Sequence, residues 1–448
     1  MNNSLDSKKI INAFIAQISG EGINPIFGDI EISGGKIVSI TEKPFSPGLL
    51  GESSSKGNVY NAAGRLVTIP LVNFHDHIYS RLAKGLNITG DLSNFPNILK
   101  NLWWKLDLLL DEEMNYASAE MTALESIRNG VTYIFDHHAS PSHTKGSLNT
   151  IKSALSNFGL RGVLCFETTN RYGDELANAG LDENIDFAHN SSNADFKGMI
   201  GLHASFTVDD YILDKTREAI SGTDLGIHVH LCEDLSDKVE TNRKYDSLPV
   251  QRFIDAGLVN SKSIFAHSIH LDESEISLIG ERGASAALNL DSNLNNAVGL
   301  AKYANLNKSV SLLAGTDGMH ANLARSAKQI FLLARHTGMS MDDAFGYFIR
   351  LYFTQIEFVK KYFPDYTSLS VGDRADMIVW DYVMPTPLTQ GNFFGHYIYG
   401  ALEYPVRTVI QNGNFLMKDF LFTASNETEV RQRIYTQGVR LKEKFEAN

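Results

Sequence analysis

The chain has 448 residues, 43% of them hydrophobic and 21% charged, a length that suits one large barrel with an appendage or two to three smaller domains. A formal net charge of −12 argues against a nucleic-acid or anionic-membrane partner, either of which wants a basic surface. Two cysteines, Cys165 and Cys232, are too few for a disulfide framework; no run approaches transmembrane length, and the stretch Met1 to Lys9 lacks an apolar signal core, so a reduced, cytoplasmic protein is expected.

Residues 1–66 alternate short β-like runs, such as Ile10–Ile15 and Lys36–Ile40, with the turn signal Gly34-Gly35. They read as part of a small β domain that cannot close a core alone. From 67 to 365 the texture becomes a repeated alternation of apolar strand, polar exit and amphipathic helix. The strands leave in turn into His75-Asp76-His77, Asp136-His137-His138, Glu167, His203, His230 to Glu233, His267, Asn289 to Asn293, and Thr316-Asp317. Near-continuous apolar strands joined by helices mark a parallel sheet buried on both faces. Eight units with polar exits fit an α/β chain folded as a (β/α)8 TIM barrel, whose site is built at the C-terminal strand ends. An open doubly wound sheet is the weaker reading. Residues 366–424, with strands expected at Leu369–Trp380 and Val406–Gly413, complete a discontinuous β-sandwich domain, and 425–448 form a closing helix.

In an extended strand His75 and His77 share a face and Asp76 opposes them. If the strand ends converge, His230 and Asp317 join them as a three-imidazole, one-carboxylate set for one divalent cation. Zn²⁺ suits such a set best, though Fe²⁺ and Mn²⁺ accept the same donors. A position stays open for a water whose pKa such an ion brings near ~7. Glu233, three residues past His230, reads as a proton shuttle, His267 as a hydrogen-bonding group at the attacking oxygen, and Asp317 as both ligand and proton acceptor. His228 is expected on the opposite face of the strand's exit or one layer down from His230, with no catalytic role. Each residue also has a plainer reading: Asp317 as a turn former, Glu167 as a helix-start carboxylate, His203 as a satisfied barrel histidine. Substrate contacts are expected from Trp103, His138 and Asn293. Trp103 and Trp104 share an amphipathic helix with Leu99, Leu102 and Leu106, so at least one should fill core.

The runs Pro70–His77, Gly201–Val208, His230–Glu233, Phe265–His267, Gly315–Gly318 and Gly372–Asp376 resemble the amidohydrolase superfamily in its deaminase and chlorohydrolase-like branch. Asn101–Asp107, Asp136–Pro141 and Cys165–Thr169 bring the resemblance nearest to the SsnA-type aminohydrolases. It implies metal-dependent hydrolytic deamination of an amidine-like carbon in a purine-like heterocycle, with His203 touching the substrate, and a homodimeric assembly. Asp76 and the exit at Asn289 depart from the usual family pattern. Two other readings use the same residues: ring-opening hydrolysis of a cyclic amide, and a barrel that captures metal and ligand without catalysis.

Overall fold

The computed structural model describes residues 7–423 and 427–447; the expectation about the N-terminal stretch falls partly on residues 1–6, outside that range. Eight strands form the barrel: β1 (Leu71–Asp76), β2 (Val131–His138), β3 (Arg161–Phe166), β4 (Ile200–Ala204), β5 (Ile227–Leu231), β6 (Ile264–His267), β7 (Ser285–Leu288) and β8 (Ser311–Ala314). Every neighbouring pair that shares a ladder is parallel. A short strand at Phe196–Gly198 pairs with β3, and the chain then shifts at Met199 so that β4 pairs with β5. All residues of β2 to β7 are buried, which is why these runs are continuously apolar rather than alternating. Several of the connecting helices begin on side-chain caps. Asp111 accepts from Met114 N–H, Asp209 from Ile212 N–H, and Asp272 forms a reciprocal capping box with Glu275. Among the described residues no helix is long and apolar enough to cross a membrane.

The barrel closes between β8 and β1. Backbone N–H groups of Thr316 and Asp317 both donate to the His75 carbonyl, at 3.0 and 2.9 Å. Asn73 buttresses this seam: its Oδ1 accepts from Thr316 N–H (3.1 Å), and its Nδ2 donates to Thr316 Oγ1 (2.7 Å) and Asp76 Oδ2 (2.8 Å). Gly315 is required there, because a Cβ would stand 2.3 Å from Asn289 Oδ1 and 2.8 Å from His75 Cβ. Asp76 faces away from its histidine neighbours, as the strand period demands, and Arg81 Nη2 donates to its Oδ1 at 2.5 Å. Burial raises the Asp76 carboxyl, and Arg81 opposes that shift. Both side chains are fully buried.

Both ends of the chain build a second sheet. The antiparallel strands Lys8–Ser19, Gly22–Ser33 and Lys36–Glu42 join Arg65–Thr68, which runs parallel to the first of them. Arg65–Thr68 also pairs antiparallel with Met377–Val383, which leads on to Val406–Gln411, Asn414–Lys418 and Leu421–Phe422. With two short strands at Ser54–Lys56 and Val59–Asn61 this makes ten hydrogen-bonded strands. The strand expected from Leu369 begins only at Met377. Before it, the Asp373 carboxylate accepts from the N–H groups of Ser368 (2.7 Å) and Ser370 (3.0 Å), and Leu369 takes a positive φ of 60°. A side-chain acceptor thus outcompetes a sheet ladder for these donors. The helix Glu427–Glu446 closes the fold against Glu112–Arg128, with Arg433 Nη2 donating to the buried Glu120 carboxylate.

Replacing Arg81 by Met leaves Asp76 as a buried charge without its partner and lowers the unfolding free energy by about 3–5 kcal/mol. Adding Asp76→Asn restores part of that loss. Urea denaturation of the single and double variants measures both effects, and an unshifted midpoint for Arg81→Met would exclude the pair as a stabiliser of the closure.

Candidate active site

The four residues at the ends of β1, β5 and β8 converge. His77 Nε2 lies 2.9 Å and His75 Nε2 3.3 Å from Asp317 Oδ1, and the Nε2 atoms of His77 and His230 are 3.0 Å apart. The other ring nitrogens fix these orientations. His77 Nδ1 donates to the His137 carbonyl (2.7 Å) and His230 Nδ1 to the His203 carbonyl (3.0 Å). A carbonyl only accepts, so each Nδ1 carries the hydrogen and each Nε2 turns a lone pair inward. His228 lies beneath, its Nε2 2.9 Å from His75 Nδ1, in one of the two places expected for it. His75 Nε2 is buried and, among the described residues, makes no well-formed hydrogen bond, with Asp317 Oδ1 standing 3.3 Å away.

Inward lone pairs beside a carboxylate call for a positive charge between them. Burial lowers His77, yet the adjacent Asp317 carboxylate overrides it and raises the ring to about 10. Burial holds His75 down at about 3 and His230 well below the ordinary range. A proton favoured on His77 by Asp317 is one that a divalent cation would displace, freeing the Nε2 lone pair. Among the described residues, ligand atoms of His75, His230, His267 and Asp317 all lie within 4.8 Å of one another. That group has donors suited to a divalent cation, and His77 falls in a second such group with His137, Glu167 and His230.

Two turns aim the remaining groups. Cys232 (φ 48°) bends the chain after β5, with its N–H held by Asp237 Oδ2 at 2.7 Å, and this directs Glu233 into the cleft. His267 (φ 70°) and Ser268 (φ 53°) do the same after β6. Glu233 Oε2 stands 3.6 Å from His267 Nε2, and its Oε1 accepts from Asn296 Nδ2 at 3.3 Å. Burial raises the Glu233 carboxyl to about 7 against the pull of His267. His267 Nε2 also lies 3.9 Å from Asp317 Oδ2.

These groups open into a cleft of about 790 Å³. One wall is aromatic and apolar, with Tyr79, Phe95, Trp103, Trp104, Phe206 and Met319. Both tryptophans line it, because the expected regular helix is a π-turn over Leu99–Trp103 followed by a short helix Trp104–Asp107. Such turns widen a helix locally and are common at functional sites. His203 lines the cleft too, with Nδ1 2.7 Å from Thr207 Oγ1.

Two expected substrate contacts do not line it. His138 is fully buried behind Tyr79 and Phe166, with its Nε2 2.8 Å from Ser140 Oγ, because successive residues of β2 point to opposite faces. Asn293 is fully buried behind His267, its Oδ1 2.8 Å from His267 Nδ1; it orients that ring instead of meeting the cleft.

Sequence reasoning undervalued a third group. Glu167, Arg171 and Asp107 all line the cleft. Arg171 Nη2 lies 2.9 Å from Glu167 Oε1 and 3.2 Å from Asp107 Oδ2, and Glu167 Oε2 is 3.4 Å from His137 Nδ1. Burial raises Asp107 to about 7 although Arg171 opposes it. The exit rule for strand ends pointed to Glu167. Nothing local marked Asp107, whose importance comes from its approach to a distant turn.

A family model described as the amidohydrolase family matches residues 66–416. The 5'-deoxyadenosine deaminase of Methanosarcina barkeri is 28% identical over 429 residues, covering 94% of this chain and 95% of that protein. The 5-methylthioadenosine/S-adenosylhomocysteine deaminase of Desulforudis audaxviator is 26% identical over 441 residues, covering 94% and 96%. Among solved structures, an adenosine deaminase from Xanthomonas campestris with bound zinc superposes with a TM-score of 0.76 at 18% identity, covering 97% of this chain and 100% of that one. By the span of the family match, and with a barrel whose inward histidines meet an aspartate at its eighth strand, this chain belongs to the amidohydrolase family.

Proposed function

We propose that the protein is a metal-dependent aminohydrolase that replaces an exocyclic amino group on an amidine-like ring carbon by oxygen, and that adenine-type rings are its substrate class. The observation that carries this reading is the placement of Glu233. Its buried carboxyl, raised to about 7, stands 3.6 Å from His267 Nε2 at the edge of the histidine–aspartate cluster. A proton carrier poised near neutral pH has no use beside a purely structural cation. The adenosine-type substrates named for the two sequence relatives support the choice of ring.

His75, His77, His230 and Asp317 would hold the cation, and zinc, bound in the Xanthomonas campestris deaminase, is the proposed ion. When bound there, such an ion supplies Lewis-acid activation of a water, bringing its pKa near ~7. The residues of the chain do the rest. Asp317 Oδ2, turned towards His267, accepts a proton from the attacking water. His267 Nε2, aimed by Asn293, accepts the remaining O–H and so turns an oxygen lone pair towards the ring carbon. Glu233 delivers its proton to the ring nitrogen and then takes up the proton of the newly added O–H as the carbonyl forms, while the proton held on Asp317 passes to the leaving amine. A carbon–oxygen bond forms, the carbon–nitrogen bond breaks, and water plus the amino heterocycle become the oxo heterocycle and ammonia. The aromatic wall of Trp103, Trp104 and Phe206 receives the flat ring, and His203 faces its edge.

Glu233→Gln keeps the carboxylate's shape without its proton transfer, so it should retain bound metal while kcat falls by roughly 10²–10⁴-fold. Metal analysis alongside steady-state rates checks both halves, and near-wild-type turnover would remove Glu233 from the proton path. Chelation should abolish ammonia release from 5'-deoxyadenosine, and added zinc should restore it with one ammonia per oxo product and an intact ring. A carboxylate formed ahead of ammonia would instead indicate ring-opening hydrolysis.

A further inference from the structure

We propose that the wall formed by Asp107, Glu167 and Arg171 selects substrates by charge, admitting neutral or cationic heterocycles and turning away those that carry a carboxylate or phosphate. This rests on the deaminase reading above and specifies its substrate class. Arg171 is the only lysine or arginine among the described residues lining the cleft. A free guanidinium there would offer a fork of donors to an anionic substituent. This one is partly committed: Nη2 is engaged, while Nε is buried with no hydrogen-bond partner among the described residues. Its Nη2 is shared between Glu167 Oε1 (2.9 Å) and Asp107 Oδ2 (3.2 Å), and its guanidinium lies over the rings of Trp104 (5.3 Å) and Tyr172 (5.2 Å). Tyr172 O–H donates to the same Asp107 oxygen at 3.0 Å, which fixes the carboxylate against the guanidinium.

The surroundings reinforce the bias. Beyond the groups assigned to the cation and to proton transfer, the cleft lining carries Asp234 and Asp237, so acidic groups outnumber the single guanidinium. Among the described residues Asp107 Oδ1 is buried with no hydrogen-bond partner, which leaves an acceptor facing that point of the wall. An anionic substituent must either displace a buried carboxylate from Arg171 or lie against like charge; both are unfavourable in a desolvated cleft. A substituent with donors, or with a positive charge, meets no such penalty.

The test compares matched pairs on the zinc-loaded enzyme: 5'-deoxyadenosine against adenosine 5'-monophosphate, and pterin against pterin-6-carboxylate. The neutral member of each pair should win in kcat/KM by about 100-fold, with most of the difference in KM. Asp107→Asn keeps the size of the side chain and frees part of Arg171, so it should narrow both ratios by about tenfold, whereas Arg171→Gln should widen them. Thermal melting confirms that each variant is folded. Equal use of both members of either pair, or ratios unmoved by Asp107→Asn, overturns the charge selection while leaving deamination standing. Absence of ammonia from all four compounds overturns the deaminase reading and the charge selection with it.

Discussion

The site depends on one closure. Two backbone N–H groups of the eighth strand's exit donate to a single carbonyl, that of His75, and this joins the last barrel strand to the first. The carbonyl belongs to a residue of the histidine pair, and one of the donors belongs to Asp317. Backbone pairing and side-chain convergence are therefore the same event, and the carboxylate meets the imidazoles because the barrel shuts. Asn73, Asp76 and Arg81 are linked by hydrogen bonds and buttress the seam beside the histidine pair. Alternation along β1 divides its labour: odd positions 75 and 77 serve the cleft, while 76 anchors the wall.

Electrostatics in the cleft are arranged by burial and then adjusted by neighbours. The same desolvation that lowers His75 and His230 raises Glu233 and Asp107, so ring nitrogens stay available as donors of lone pairs while the carboxyls keep protons near neutrality. Pairing wins over burial at His77 and Asp317, and again at Glu167, which His203 and Arg171 hold well below the ordinary carboxylate range. Proton-holding and proton-moving groups are thereby separated within a few ångströms.

What was legible in the sequence follows from which rules are local. His75 and His77 could be read from a period of two along an apolar run, and His230 and Asp317 from the rule that barrel sites gather at strand ends. Both rules survive any variation in loop shape. His138 and Asn293 were misjudged because an exit residue's direction depends on one dihedral. In β2 the strand continues through His138 and points it into the wall, while the left-handed residues His267 and Ser268 swing the sixth exit so that Asn293 comes to lie behind it. The charged wall was hidden for another reason. Asp107 and Arg171 come from different connections, and their contact is set by the approach of a π-turn whose pattern reads as an ordinary helix. At Leu369–Asp376 apolar alternation suggested a strand, but a single aspartate captured the backbone donors.

The sheet shared by both chain ends has a consequence for the order of events on the ribosome. Arg65–Thr68 pairs with Met377–Val383, so some three hundred residues of barrel are translated between two strands that must lie side by side. The early strands emerge with one edge unpaired, and their final partner arrives only when the whole barrel has left the exit tunnel. Closing so long a loop carries an entropic cost that rises only slowly with length, but an open edge is exposed for the full time of synthesis. Formation of the barrel, which brings the two distant segments together, is therefore the step that ends that exposure.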